Sequence, residues 1–94
     1  MIDRKRVYDC IDTERTYQED THKAPRTNTE YLVIIEHYVR EAFRSVSTRN
    51  DDQGTVAPLR KIAALAVAAM EQNGFEDRRI PHRGLDYGNI RSPF

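Results

Sequence analysis

Between Asn28 and Val46 the apolar residues cover about half the circumference of an α-helix at roughly 3.6 residues per turn. Leu32, Ile35, Val39, Ala42, Phe43 and Val46 make the stripe expected to face a core, and Tyr31, Ile34 and Tyr38 widen it. One partner helix cannot cover so wide an arc, so several helices, from one copy or from more, must surround it. The start of this helix is marked by Thr27-Asn28-Thr29-Glu30, a threonine followed three positions later by a glutamate, which is the pattern of a capping box.

The polar run from Ser47 to Gly54 has no period and reads as the connection that turns the chain back. Pro58 fits the first turn of a further helix, where its missing N–H costs nothing, and Gly74 fits the left-handed cap that ends that helix near Asn73. The expected inward face is Leu59, Ile62, Ala66, Ala69 and Met70, and alanines at 63, 64 and 68 permit close approach on further sides. Residues 3 to 19 place Val7, Cys10, Ile11, Glu14 and Tyr17 at helical spacing, a narrower amphipathic stripe. The expected fold is therefore all-α: a short N-terminal helix plus an antiparallel helical hairpin, assembled as an oligomeric helical bundle.

Two segments differ in character. Residues 1 to 74 carry the helical periods and form the expected ligand-binding domain. From 75 to 94, Pro81, Gly84, Gly88 and Pro93 interrupt any period, and Ile80, Leu85, Tyr87, Ile90 and Phe94 lie scattered among arginines, so an extended C-terminal tail is expected. Ninety-four residues suffice for one small core, and with 9% aromatics and no tryptophan its stability is expected to lean on self-association.

Fifteen Lys and Arg balance fifteen Asp and Glu, which argues against a protein that coats duplex nucleic acid or anionic membrane through counterion release. No apolar run approaches the roughly 20 residues of a membrane span. The single Cys10 excludes a disulfide within the chain and fits a core position in a reduced, cytoplasmic protein, as does an N-terminus without an apolar signal region. There is no Gly-rich phosphate loop, CxxC pair, HExxH or nucleophile elbow, and the histidines at 22, 37 and 82 lie in different segments. Neither a cofactor nor a bound metal is expected from these motifs.

Glu14-Arg15-Thr16-Tyr17-Gln18, then Glu30-Tyr31-Leu32, then Leu59 to Glu71 with its alanine-rich centre, resemble the small MazG-like proteins of phages and bacteria over residues 7 to 78. The resemblance implies an all-α, oligomeric nucleoside triphosphate pyrophosphohydrolase with magnesium held by acidic residues on facing helices. This chain departs from that pattern. Where the family's first acidic cluster would fall stand Glu36, His37 and Arg40; where the second would fall stand Arg60, Lys61 and Ala64. Magnesium needs several hard oxygen ligands, and cations in that place repel it. The Lys-Trp pair usual after the first motif is replaced by Thr21-His22-Lys23.

In place of the acidic clusters is a cationic stripe: His37, Arg40 and Arg44 at i, i+3 and i+7, with Arg60 and Lys61 opening the next helix, where the field of the helix terminus favours anions. Arginine and lysine suit phosphate oxygens, and Tyr17, Tyr31 or Tyr38 can stack on a base. The resemblance adds Arg15 and Gln18 as residues near a nucleotide. The candidate ligand-binding set is thus Arg15, Tyr17, Gln18, His37, Arg40, Arg44, Arg60 and Lys61, against the plainer reading that these are a solvated face with pairs such as Arg40 with Glu36.

The leading functional expectation is non-catalytic binding and sequestration of a small nucleotide, linear or cyclic, by a homo-oligomer, in the manner of phage proteins that antagonise host nucleotide-based immune signalling. The first alternative is a magnesium-dependent pyrophosphohydrolase with ligands from Glu14, Glu36, Glu41 and Glu71. The second is a host-protein inhibitor acting through residues 75 to 94.

Overall fold

A computed structural model describes residues 1–49 and 52–79; for Thr48, Arg49 and Asp52 it describes the backbone only. Its elements are helices α1 (Arg4–Thr21), α2 (Asn28–Arg49) and α3 (Val56–Asn73), with a single 3-10 turn at Asp52–Thr55 leading into α3. No strand occurs among the described residues.

The local signals explain most helix ends. Thr27 N donates to Glu30 Oε1 at 2.7 Å while Glu30 N donates to Thr27 Oγ1 at 3.1 Å, the reciprocal bonds of a capping box, and α2 begins at the next residue. The backbone N–H of Thr27 first, and its hydroxyl second, stabilise the ionised Glu30 carboxyl and hold it below its ordinary value. A depressed folded-state pKa contributes stability above the unfolded value and loses it as pH falls through the folded one. Acid titration of the wild type should therefore show a component below about pH 4.5 that Glu30→Gln removes, read as helicity by circular dichroism; identical acid profiles would overturn it.

Beside the start of α2, at the same end of the α2–α3 pair, α3 stops where Gly74 adopts φ 97°, a conformation without penalty only for a residue lacking Cβ, and Gly74 N donates to Met70 O at 3.0 Å. Pro58 lies in the first turn of α3, as its missing N–H requires. The expected loop from Ser47 is shorter than the sequence implies, because α2 continues through Arg49 and the chain re-coils at Asp52. Neither proline nor glycine stands between Ser47 and Gly54 to stop the helix earlier.

The core is small and lies between α2 and α3. Tyr31, Leu65 and Ala68 are buried together, and Ile34, Ile35, Tyr38 and Ala69 pack against them. The contacts run in opposite sense along the two helices, with Asn28 beside Asn73 and Tyr38 beside Lys61. This places the core on the other half of the wide α2 arc from the one expected: Leu32, Phe43 and Val46 are exposed, as are Leu59, Ala66 and Met70 of α3. Tyrosines at 31 and 38 fill the space against an alanine-rich helix better than the shorter Leu32 and Val39 would, since Ala64 and Ala68 let the ring bodies approach.

α1 corrects the expectation more strongly. Val7, Cys10 and Tyr17 are exposed, Ile11 is half-buried, and Gln18 is the buried residue of the helix. Cys10 is thus a surface thiol and not a core residue. The face of α1 that meets α3 is polar because α3 offers it charged partners and a backbone carbonyl.

Of the expected tail, residues 75 to 79 are described as exposed chain without helix or strand, and the expectation for Ile80, Leu85, Tyr87, Ile90 and Phe94 falls outside the described residues. No helix among the described residues is long and apolar enough to cross a membrane.

Candidate functional site

The short motif on α1 is drawn onto α3 by three adjoining contacts. Arg60 Nε donates to Glu14 Oε1 at 2.7 Å, Arg15 Nε donates to Glu71 Oε1 at 2.7 Å, and Gln18 Nε2 donates to Lys61 O at 3.4 Å. Residues 60 and 71 lie about 16 Å apart along a helix axis at 1.5 Å per residue, so two neighbouring side chains of α1 bracket most of α3. Each pair has one member withdrawn from water: Glu14 is 10% exposed against 38% for Arg60, and Arg15 is 11% exposed against 49% for Glu71.

Gln18 is buried with its Oε1 unpaired. The cavity it shares with Arg15, Arg26, Tyr31, Leu65 and Gln72 has about 10 Å³, the room of one water molecule and not of a nucleotide base. A larger open cleft of about 530 Å³ lies beside it, bounded by Arg15, Glu19, Asp20, His22, Lys23, Glu71 and Gln72. Its acidic members offset its cations, which makes it a poor seat for a phosphate.

Beyond this cleft the turn between α1 and α2 is latched to the end of α3. Arg26 N donates to Gln72 Oε1 at 3.0 Å, and Asn73 Nδ2 donates both to Arg26 O at 3.0 Å and to Asn28 Oδ1 at 3.1 Å. Nothing local in the sequence announces this latch, since its halves lie 45 to 47 positions apart.

The cationic stripe is divided by the fold. His37 Nε2 lies 2.9 Å from Glu41 Oε2, and Arg40 Nη2 lies 3.6 Å from Glu36 Oε2, both along the surface of α2. At about 100° per residue, Arg40 and Arg44 point away from the side on which Tyr31 and Tyr38 meet α3. Arg60 turns instead to Glu14. Lys61 sits in the second turn of α3, past the first turn where the helix field is strongest.

Lys61 differs from its neighbours in the candidate set. Its ammonium lies over the Tyr38 ring, 5.1 Å from the centroid, and the His37 ring meets the same tyrosine edge-on at 5.1 Å. An aromatic face holds a cation while leaving its N–H donors available to an anion. Among the tyrosines named for base stacking, Tyr31 is buried and cannot serve, Tyr38 is half-buried, and Tyr17 is exposed on α1. Comparison with protein-family models, curated proteins and solved structures finds no match to this chain.

The carboxylates considered for magnesium are not brought together: Glu14, Glu36, Glu41 and Glu71 each face a basic side chain. Among the described residues no group of three or more His, Cys, Asp and Glu is placed to share an ion.

Proposed function

We propose that this chain binds a small nucleotide, linear or cyclic, without turning it over, and that it does so as a homo-oligomer of antiparallel α2–α3 hairpins. The observation that carries the reading is Lys61, whose ammonium rests on Tyr38 with His37 alongside and Gln18 bonded to its backbone. A phosphate oxygen would take the ammonium donors, and a base would find the exposed ring of Tyr17. Arg15 and Arg60 act as positioning residues here, since both spend their guanidinium groups on α1–α3 pairs. The absence of turnover in this reading rests on the separation of Glu14, Glu36, Glu41 and Glu71. Sequestration of a host nucleotide signal by a phage-encoded protein is the biological setting that fits a MazG-like relative with a displaced acidic set.

The test is equilibrium dialysis of the full chain against nucleoside triphosphates and cyclic dinucleotides, with and without Mg²⁺, followed by chromatography of the bound fraction after denaturation. Recovery of an unchanged ligand is expected, with Lys61→Ala weakening retention about tenfold or more, the loss of one charge-assisted contact, at unchanged helicity. Release of a monophosphate and pyrophosphate would replace the proposal with the hydrolase, and no retention of any nucleotide would overturn it in favour of a protein partner.

A further inference from the structure

The α2–α3 pair has two sides, and α1 occupies one of them. Arg60, Lys61 O and Glu71 mark the direction of α1 on α3. Leu59, Ala66 and Met70 lie about 120° round the helix from that direction, while Leu65 and Ala69 face α2. On α2, Leu32, Val39, Phe43 and Val46 lie about 60 to 120° round from Tyr31. Because the two helices run in opposite sense, a turn of the same sign from their line of contact leads to the same side of the pair. That side is the one α1 leaves open.

Among the described residues the centre of this face carries no charge, and Glu36, paired with Arg40 at 3.6 Å, lies at its rim beside Leu32 and Val39. Its members are Leu32, Ile35, Val39, Phe43 and Val46 on α2, with Leu59, Ile62, Ala66 and Met70 on α3. Leu32 is 64% exposed and Phe43 66%, Leu59 and Met70 about half, whereas among the described residues Tyr31 and Leu65 are the large apolar side chains that the single chain buries. The open face thus holds more large apolar side chains than the core. Its five most exposed members leave on the order of 500 Å² of apolar surface, and the half-buried residues between them bring the area towards the roughly 800 Å² per partner of a standard stable interface.

We propose that a second copy of this chain covers this face, two hairpins stacking their open sides into a four-helix bundle with an α1 on each outer side. The partner must itself be apolar and uncharged over the same extent, since a charged residue set against this face would be desolvated without a counter-ion. The identical face of another copy meets that condition, and a two-fold arrangement of one self-complementary patch is the commonest way for chains to associate. Residues 80–94 of the same chain, with arginines and a histidine among their apolar residues, meet it less well. The inference rests on the hairpin reading of α2 and α3 and not on nucleotide binding.

Analytical ultracentrifugation of the full chain without nucleotide tests it. The expected mass is twice the 11.0 kDa of the chain, or an even multiple. Phe43→Glu and Leu32→Glu should each halve it, with helicity kept because both side chains are exposed in the single chain, whereas Tyr8→Glu, at an exposed position on α1, should leave the mass unchanged. A monomeric wild type overturns the proposal, as does an oligomer whose mass Phe43→Glu and Leu32→Glu leave intact. A wild-type monomer that dimerises only after removal of residues 80–94 would overturn it too, assigning the face to the tail. Nucleotide retention measured on the same samples separates failure of this proposal from failure of the binding one.

Discussion

Leu65→Ala is expected to remove about 2 to 4 kcal/mol of stability, the cost of deleting a buried leucine whose surroundings collapse only in part. Leu65 is 5% exposed and sits in the buried cluster with Tyr31 and Ala68. A chain of this size has little to lose, since domains are stable by about 5 to 15 kcal/mol and small ones lie at the low end. At about 4 to 8 °C per kcal/mol, the melting midpoint should fall by about 8 to 32 °C or the cooperative transition vanish. Val33→Ala, at an exposed position on α2, should change stability by about 0.5 kcal/mol or less. Thermal unfolding followed by circular dichroism at one protein concentration compares them, and equal midpoints for the two variants would mean that the Tyr31–Leu65 cluster is not the core.

The ion pairs between α1 and α3 should respond unequally to loss of their two members. Removing Arg60 leaves Glu14, nine-tenths withdrawn from water, without its guanidinium. Arg60→Ala should therefore cost about 1 to 3 kcal/mol, less than for a fully buried pair because Arg60 is itself partly exposed. Glu14→Gln leaves an arginine that can turn to solvent, and should cost less than half as much. The second pair reverses the roles, with the buried group on Arg15: Glu71→Ala should cost more than Arg15→Met. Urea denaturation of the four variants measures this, and equal costs within each pair would show that the burial asymmetry has no energetic weight.

The features that were legible in the sequence are those written in a few adjacent residues. The reciprocal bonds of Thr27 and Glu30 need only a spacing of three, and the stop at Gly74 needs only a residue that tolerates positive φ. What α2 turns towards α3 was not legible, because its arc is apolar over half its circumference and periodicity does not say which half meets a neighbour. Tyr31 and Tyr38 took that place because their ring bodies complement the alanines of α3. The inward face of α1 was hidden for a different reason. Glu14 falls on the expected stripe of α1, but that it and Arg15 are drawn inward by charge is not visible until their partners, 46 and 56 positions away, are brought beside them.

The candidate site followed the same division. Gln18 and Lys61, candidates for different reasons, do meet, and Arg15 and Arg60 stand on either side of them. The run of His37, Arg40 and Arg44 is a true face of α2, but spacing within one helix carries no information about which other helix shares that face. Lys61 stands out only after Tyr38 is seen beneath it.

The polar attachment of α1 has a thermal consequence. Exposing apolar surface raises heat capacity and exposing polar surface lowers it, and the contacts that α1 makes with α3 are ion pairs and an amide bond around a half-buried Ile11. Release of α1 therefore carries less of the curvature with temperature than opening the Tyr31–Leu65 cluster must carry. Cooling weakens apolar burial and spares such charge contacts, so in the cold α1 remains docked on a pair of helices whose own association is fading.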